Sequence, residues 1–379
     1  MDIIIGTHGT ANIEQKQRVV DMADSIALLQ PSAAPLTVLL MRLQKREAFN
    51  PKFEWLEDDL TAKWDAAVGA YIAKDTAITV NYTYFSVNDI VKVPSTGECM
   101  KVTSVAYGIA NVITVIRGYG TTDADAIADK ALLVIIGNAN QEGASSPTIM
   151  TSKVVPQFNY TQIFRKPFGV TNTEDASELY GGPDLAYQRK KMGIEHSVDI
   201  ERAFLFGEAN EDLSGAQPTR TTAGVLSYVK TNVASSVGTL DETKFETFLR
   251  GLFQYGSDVK FLFCSPILLS AISTLAVKNT LRTLPKEQTF GLNITRYVSP
   301  HGEVNLIKHR LLENAYDGYG IALDLKNLWY RPLRKRDTIL KTNIQNNDED
   351  QEKDEYITEC GLQLNLEKTH GVMTGVTGA

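Results

Sequence analysis

Two charge blocks of opposite sign stand close together near the end of this 379-residue sequence. In RPLRKRDTILKTNIQNNDEDQEKDEYITE (331–359), Arg331, Arg334, Lys335 and Arg336 place four cations within six residues. Asp348, Glu349, Asp350, Glu352, Asp354 and Glu355 follow, with only Lys353 among them. Such a basic block can neutralise phosphates, or it can meet carboxylates of the same or an adjacent chain. Whole-chain charge separates the two chemistries. With 38 Lys and Arg against 45 Asp and Glu, the net charge is −7. Nucleic-acid coating draws most of its affinity from phosphate neutralisation and calls for a basic chain. Protein carboxylates are therefore the expected partners of the basic block, with the 348–355 run as one candidate. If strand alternation continues through the block, Arg334 and Arg336 share a face and Leu333 points to the core. The competing reading is that both runs are solvated. The acidic one would then be a loop, lacking the glycine and spacing of a calcium site.

The remaining reactive residues form no convergent set. His301 and His309 flank a PHGE turn and can face one another. Two imidazoles without a third ligand are more often strand or surface residues than a metal site. His196 lies in a helical stretch among charged neighbours and reads as a packing or surface residue. Cys99, Cys264 and Cys360 are odd in number and widely spaced, so they make neither a disulfide framework nor a CxxC site. They read as buried or bystander thiols in a reducing compartment. RGYGTTD (117–123) is glycine-rich, but no helix follows it to bind phosphate, so a tight turn is expected. No GxSxG, HExxH or phosphate-loop motif occurs, and no carboxylate pair stands out as an acid–base couple. The expectation is a protein without catalytic, cofactor or metal site.

The elements that carry these residues change character along the chain. Residues 1–52 hold too few apolar side chains to close a core, with a helical stretch at 12–29 and LTVLLMRL (36–43) reading as a strand. From about 77 to 137, five short β-branched runs are separated by turn chemistry: AITV, DIVKV, CMKVTSV, NVITVI and LLVII. These predict a compact all-β module, closed by the polar linker NANQEGASSP. Pro183 and Gly207 bracket the clearest helix, 184–206, which shows two modest stripes. Tyr187, Ile194, Val198 and Leu205 form one; Met192, Ala203 and Phe206 form the other. DETKFETFLRGLFQYG gives an amphipathic helix with Phe245, Phe248, Leu249, Leu252 and Phe253 on one side, capped by Thr239 or Asp241. KFLFC follows as a buried strand, then a helix behind Ser265 and Pro266, then mostly strands. The last of these is marked by alternating Leu362, Leu364 and Leu366. No apolar run reaches the roughly 18 residues that cross a bilayer, and the N-terminal residues lack the cationic start of a secretory signal. The expected setting is a cytoplasm.

Several stretches resemble, in order, the major capsid (head) proteins of tailed bacteriophages with the Hong Kong 97-type fold, in particular the phage SU-ten-like head protein group. They are FEWLEDDL, NYTQIFRKPFGVTNT, DLAYQRKKMGIEHSVDIERAFLFG, and the C-terminal series HGEVNLIKHRLL, GIALDLKNLWYRPLRKRD and EYITECGLQLNLEKTHGVMTG. Together they cover most of residues 53–375. The resemblance implies an α+β capsid fold with an N-terminal arm (1–52) and an extended loop (53–165) carrying the inserted β-module. It further implies a peripheral domain (166–221 and 342–379) with a spine helix at 184–206, and an axial domain (222–341).

A non-catalytic shell subunit follows from the resemblance, with itself as main partner in hexamers and pentamers. Portal, scaffold and cement or decoration proteins are further expected partners. Packaged DNA would be touched only through non-specific contact in the lumen, and no membrane is involved. The shell would be built in the host bacterial cytoplasm and end in the virion. An encapsulin-like compartment is the alternative from the same fold. An enzyme without linear signature and a surface adhesin are the alternatives from other classes.

Overall fold

The five expected short strands are all present, and a sixth completes them. The computed structural model describes residues 34–177, 183–278, 283–289 and 292–378, so the helix expected at 12–29 lies outside the described residues. One of its two units is Leu56–Pro156. Its strands Ala77–Val80, Asp89–Lys92, Cys99–Ala106, Asn111–Ile116 and Leu132–Asn138 match the β-branched runs. The added strand, Trp64–Ala66, pairs with Leu132–Asn138, and the Ala67–Val80 bridge joins it back to the other edge. The result is a closed six-stranded barrel. Closure leaves no free sheet edge to template unwanted pairing. Ile78, Val91, Met100, Val102, Ile113, Val115 and Leu133 alternate inward and are buried.

The other unit comprises Met1–Trp55 and Gln157–Ala379. Its four-stranded sheet is organised by the 14-residue strand Gln351–Leu364. This strand pairs along its whole first part with Gln162–Thr171, and on the other side with Leu328–Pro332 and Ile339–Lys341. The long helix Asp184–Phe206 lies against it: Gly193 faces the Tyr356 ring, and the Tyr356 hydroxyl donates to the Arg189 carbonyl at 3.1 Å. A seven-stranded sheet follows, in the order Val233–Ala234, Gly371–Met373, Gly320–Leu323, Val259–Cys264, Gly302–Lys308, Leu292–Ser299, Thr283–Thr289. Helices Glu242–Leu252 and Pro266–Lys278 accompany it, started by Asp241 and Ser265, whose side chains accept the Lys244 and Leu268 N–H groups. One core runs from Leu36 and Leu40 through Ile200, Phe204 and Tyr330 to Phe263, Ile321 and Val372, and so joins the two sheets.

Three expectations change. LTVLLMRL is a helix, Pro35–Leu43, not a strand. Pro35 opens it, and Leu36, Leu39 and Leu40 are buried at helical spacing. The long helix buries Leu185, His196, Ile200, Glu201, Phe204 and Leu205, so only Leu205 of the two expected stripes is fully covered. Hydrophobicity misplaced that face because two of its members, His196 and Glu201, are polar and satisfied by distant partners. Leu328–Pro332 joins the four-stranded sheet, whereas Gly371–Met373 joins the seven-stranded one. Finally, Leu362 and Leu364 are buried, but Leu366 lies past the strand at a left-handed φ of 53° and is 42% exposed.

Candidate assembly surface

The acidic run is a strand rather than a loop from Gln351 onward, and its alternation sorts the charges onto two faces. Even-numbered residues face the long helix. Arg189 donates from Nε to Asp354 Oδ2 at 2.7 Å and places Nη2 3.8 Å from Glu352 Oε1. Asp354 is fully buried and also accepts the Asn343 N–H at 3.1 Å. Thr358 Oγ1 meets His196 Nε2 at 2.7 Å, and burial pulls that imidazole below its ordinary value. Odd-numbered residues face the other way. Arg165 grips Glu355 with both Nε and Nη2, at 2.6 and 2.7 Å. Arg336 donates to Glu359 Oε2 at 2.5 Å. The Arg165 guanidinium, through its hydrogen bonds, holds the Glu355 carboxyl below the usual range.

Of the residues singled out in the sequence, Arg336 has its partner in Glu359, just past the 348–355 run. Arg334 lies over the exposed Phe49 ring, 5.8 Å from its centroid. Lys335 has a φ of 62° in the turn that follows Leu328–Pro332. Strand alternation therefore stops at Pro332 and does not extend to Arg334 and Arg336. Leu333 packs with Ala48, Phe53 and Trp55. Asp350 accepts from Asn172 Nδ2 at 2.5 Å, and Glu349 accepts from Asn346 and Gln351 at 2.8 and 2.6 Å. Asp348 is exposed. The structure does not bring the basic block onto the 348–355 run.

Arg331 stands apart. It is 8% exposed, and its Nε is buried without a hydrogen-bond partner among the described residues. Its guanidinium lies 5.1 Å from the Phe53 ring centroid. Phe53 in turn sits on Gly361, where a Cβ would come within 2.8 Å of the ring. Burial first, and then the charge of Arg46, pull the Arg331 guanidinium below its ordinary value. Two residues earlier on the same strand, and so on the same face, the buried indole Nε1 of Trp329 also lacks an acceptor among the described residues.

Sequence reasoning missed the most connected buried charge of this unit. Glu201, fully buried, accepts the Leu36 and Thr37 N–H groups at 2.8 and 2.6 Å and the Thr37 hydroxyl at 2.6 Å. It thus caps the helix Pro35–Leu43 from 165 residues away, where that helix has no cap of its own. His309 Nε2 completes the set at 2.7 Å, its Nδ1 being occupied as acceptor of the Leu311 N–H. The only signal in the sequence is negative: an acid and a histidine with no local partner. His301 instead lies beside Glu246 at 3.6 Å, so the two histidines do not meet. Cys264 and Cys360 are buried, and burial pushes both thiols up.

These contacts describe a chain whose charges are sorted onto defined faces, with no converging set of potential metal ligands among the described residues. No described helix is long and apolar enough to cross a membrane. A family model described as SU10 major capsid protein matches residues 5–377. The chain belongs to that family. The major capsid protein of Pseudomonas phage PaMx41 is 25% identical over 246 residues, which cover 61% of this chain and 58% of that protein. The major capsid protein of Escherichia phage Phieco32 is 32% identical over 121 residues, or 31% of this chain and 33% of that protein. The aligned part of the chain thus spans little more than half the length of the first of these relatives. Among solved structures, the capsid of a native GTA particle superposes with a TM-score of 0.51 at 8% identity, covering 97% of this chain and 98% of that one. At that identity the likeness is one of fold. This member of the family has the α+β fold of Hong Kong 97-type capsid proteins.

Proposed function

We propose that the chain is the major capsid protein of a tailed double-stranded DNA phage, a non-catalytic subunit that assembles into the icosahedral head shell. The observation that carries this is the family match over residues 5–377. In this reading, helix Asp184–Phe206 is the spine of a peripheral domain built on strand Gln351–Leu364. The seven-stranded sheet is the core of the axial domain at the capsomer centre, closed by the C-terminal strands. The barrel within Leu56–Pro156 is an insertion in the extended loop. Shell building needs many moderate contacts that stay reversible until the lattice is correct.

Charge unspent within the subunit supports the reading. Arg334, Lys335 and Asp348 are exposed, and none forms an ion pair among the described residues. Complementary patches of this kind set register between neighbours more than they add affinity. Hexamers and pentamers of the chain itself, a portal, a scaffold and cement proteins are the partners. Packaged DNA meets the lumen face without sequence readout. The head is assembled in the bacterial cytoplasm and persists in the virion.

Expression of the chain, followed by size-exclusion chromatography and negative-stain electron microscopy, tests this. Closed shells, capsomers or hexagonally ordered sheets are expected, alone or with co-expressed neighbouring genes. A strictly monomeric protein under both conditions would overturn the proposal. In the same assay Arg334→Glu with Lys335→Glu should misdirect assembly at unchanged subunit stability. Arg336→Glu should instead weaken the fold, through Glu359.

A further inference from the structure

We infer that the exposed surface of Phe49, Arg334 and Lys335 docks onto the acidic end of strand Gln351–Leu364 in a second copy of this chain. This contact rests on the shell reading above and assigns one of its joints between subunits.

The two surfaces are complementary and sit at opposite ends of one rigid element. At one end, the turn after Leu328–Pro332 is fixed to the long strand. Leu333 donates its N–H to the Glu359 carbonyl at 2.8 Å, and Glu359 donates its own to the Arg336 carbonyl at 2.9 Å. Arg334 leaves this turn over the Phe49 ring, which is 73% exposed. Neither Arg334 nor Lys335 forms an ion pair among the described residues. Arg46 and Glu47, on the segment bridged alongside, are both exposed and offset one another. At the other end, Asp350 holds the short helix Asn172–Asp175: its carbonyl accepts the Asn172 N–H, and its carboxylate accepts from the Asn172 side chain. Glu174, Asp175, Asp348, Glu349 and Asp350 gather there, and none forms an ion pair among the described residues. Lys353 is the one cation in 348–355. Eight residue steps of continuous strand separate Gln351 from Glu359, roughly 26 Å at 3.3 Å per residue. That span exceeds the screening length of about 10 Å at 0.1 M salt. Within one copy, the two patches do not neutralise one another.

Between copies they can. A contact of unlike patches is head-to-tail, and such contacts close into rings when the rotation fits, as the five- and six-membered units of a shell need. Like-to-like pairings of the same ends repel, so the charges select the orientation. Phe49 and Arg334 supply the aromatic and guanidinium anchor that the centres of interfaces favour. Two other occupants of the basic end compete. Nucleic-acid phosphate would satisfy Arg334 and Lys335 but leave the acidic end unanswered, whereas a second copy answers both patches with one contact. The other competitor is a carboxylate of residues 1–33 of the same chain, and the test separates it.

The test compares full-length wild type with three variants: Arg334→Glu with Lys335→Glu, Asp175→Lys with Asp348→Lys, and all four substitutions together. Replacing Asp175 and Asp348 leaves the hydrogen bonds of Glu349 and Asp350 in place. Two quantities are read: the melting temperature of the dissociated subunit, and the threshold concentration for assembly. Each pair alone should raise the threshold about tenfold or more, because it sets like charges against one another. The melting temperature should stay unchanged in both. The fourfold variant restores unlike charge with the signs exchanged, and should return to within about threefold of the wild-type threshold. Altered surface charge without this pairing does not produce such a recovery. Absence of recovery, or assembly of either pair at the wild-type threshold, would overturn the inference. A lower melting temperature in the Arg334→Glu, Lys335→Glu variant would place the partner in the same chain and overturn it too. If that variant forms shells at the wild-type threshold that retain less DNA, the occupant is phosphate and the inference fails. Wild type that never assembles overturns the shell reading itself, an outcome distinct from all of these.

Discussion

Arg117 in the barrel and Arg331 in the other unit are both almost fully buried, and they are opposites in every other respect. Arg117 uses its donors completely. Nε and Nη2 reach the two oxygens of Glu98 at 2.8 and 2.9 Å, Nη1 reaches the carbonyls of Ile72 and Asp75, and Nη2 also reaches that of Asp125. Glu98, fully buried, further accepts the Gly118 and Asp125 N–H groups. Burial pushes its carboxyl up, but Arg117 and these two N–H groups outweigh that and hold it below the usual range. The glycine-rich RGYGTTD turn therefore cradles a carboxylate of its own chain, with Gly118 at a φ of 58°. All partners lie within 45 residues of Arg117. Arg331 has an aromatic ring and nothing of opposite charge among the described residues. The barrel arginine finishes its site within its own unit, as a self-sufficient module requires. The other site has no counter-charge among the described residues.

This contrast breaks most visibly at Glu98. Glu98→Ala would turn Arg117 into a second uncompensated arginine, and should destabilise the barrel by about 3–5 kcal/mol. Amide exchange across 72–75 and 117–127 should report local opening. An unchanged exchange pattern would show that the pair contributes little.

A buried but neutral group should behave differently again. His370 is fully buried, accepts the Asp324 N–H at Nδ1, and is held by burial at about 4. The unfolded chain takes up that proton below about 6.5, so stability falls as pH drops from 6.5 toward 4 and then levels. The loss at this one residue is of the order of 3 kcal/mol. Urea midpoints between pH 4 and 7 should show the slope, and His370→Gln should flatten it. An equal slope in the variant would assign the loss elsewhere.

Glu201→Gln offers a smaller effect, about 2 kcal/mol, because an amide keeps one acceptor while turning N–H groups toward donors. The amides of Leu36 and Thr37 should exchange faster, since they lose their carboxylate cap. Arg331→Met closes the series, with a change near zero in the urea midpoint, since it removes a guanidinium that has no counter-charge among the described residues.

Much of the fold is legible in local pattern. The barrel strands show themselves through β-branched runs and turn chemistry. The helix Glu242–Leu252 follows its i, i+3, i+4 spacing and Asp241 cap, and the long helix is bounded by Pro183 and Gly207. The ordered motifs along 53–375 carry the family resemblance. Tertiary structure alone decided what depends on contacts far apart in sequence. Pro35–Leu43 became a helix because Leu36, Leu39 and Leu40 found a helix face to cover, and because Glu201 capped it from 165 residues away. The acidic run became a strand because Arg189 and Arg165 wait on opposite faces of the sheet. Four neighbouring cations look alike in the sequence. The fold gave Arg336 a carboxylate, left Arg334 and Lys335 at the surface, and buried Arg331 beside an aromatic ring. Propensity and periodicity act over a few residues and are written along the chain. The partner of a buried charge is set by which strands end up side by side, and only folding supplies that.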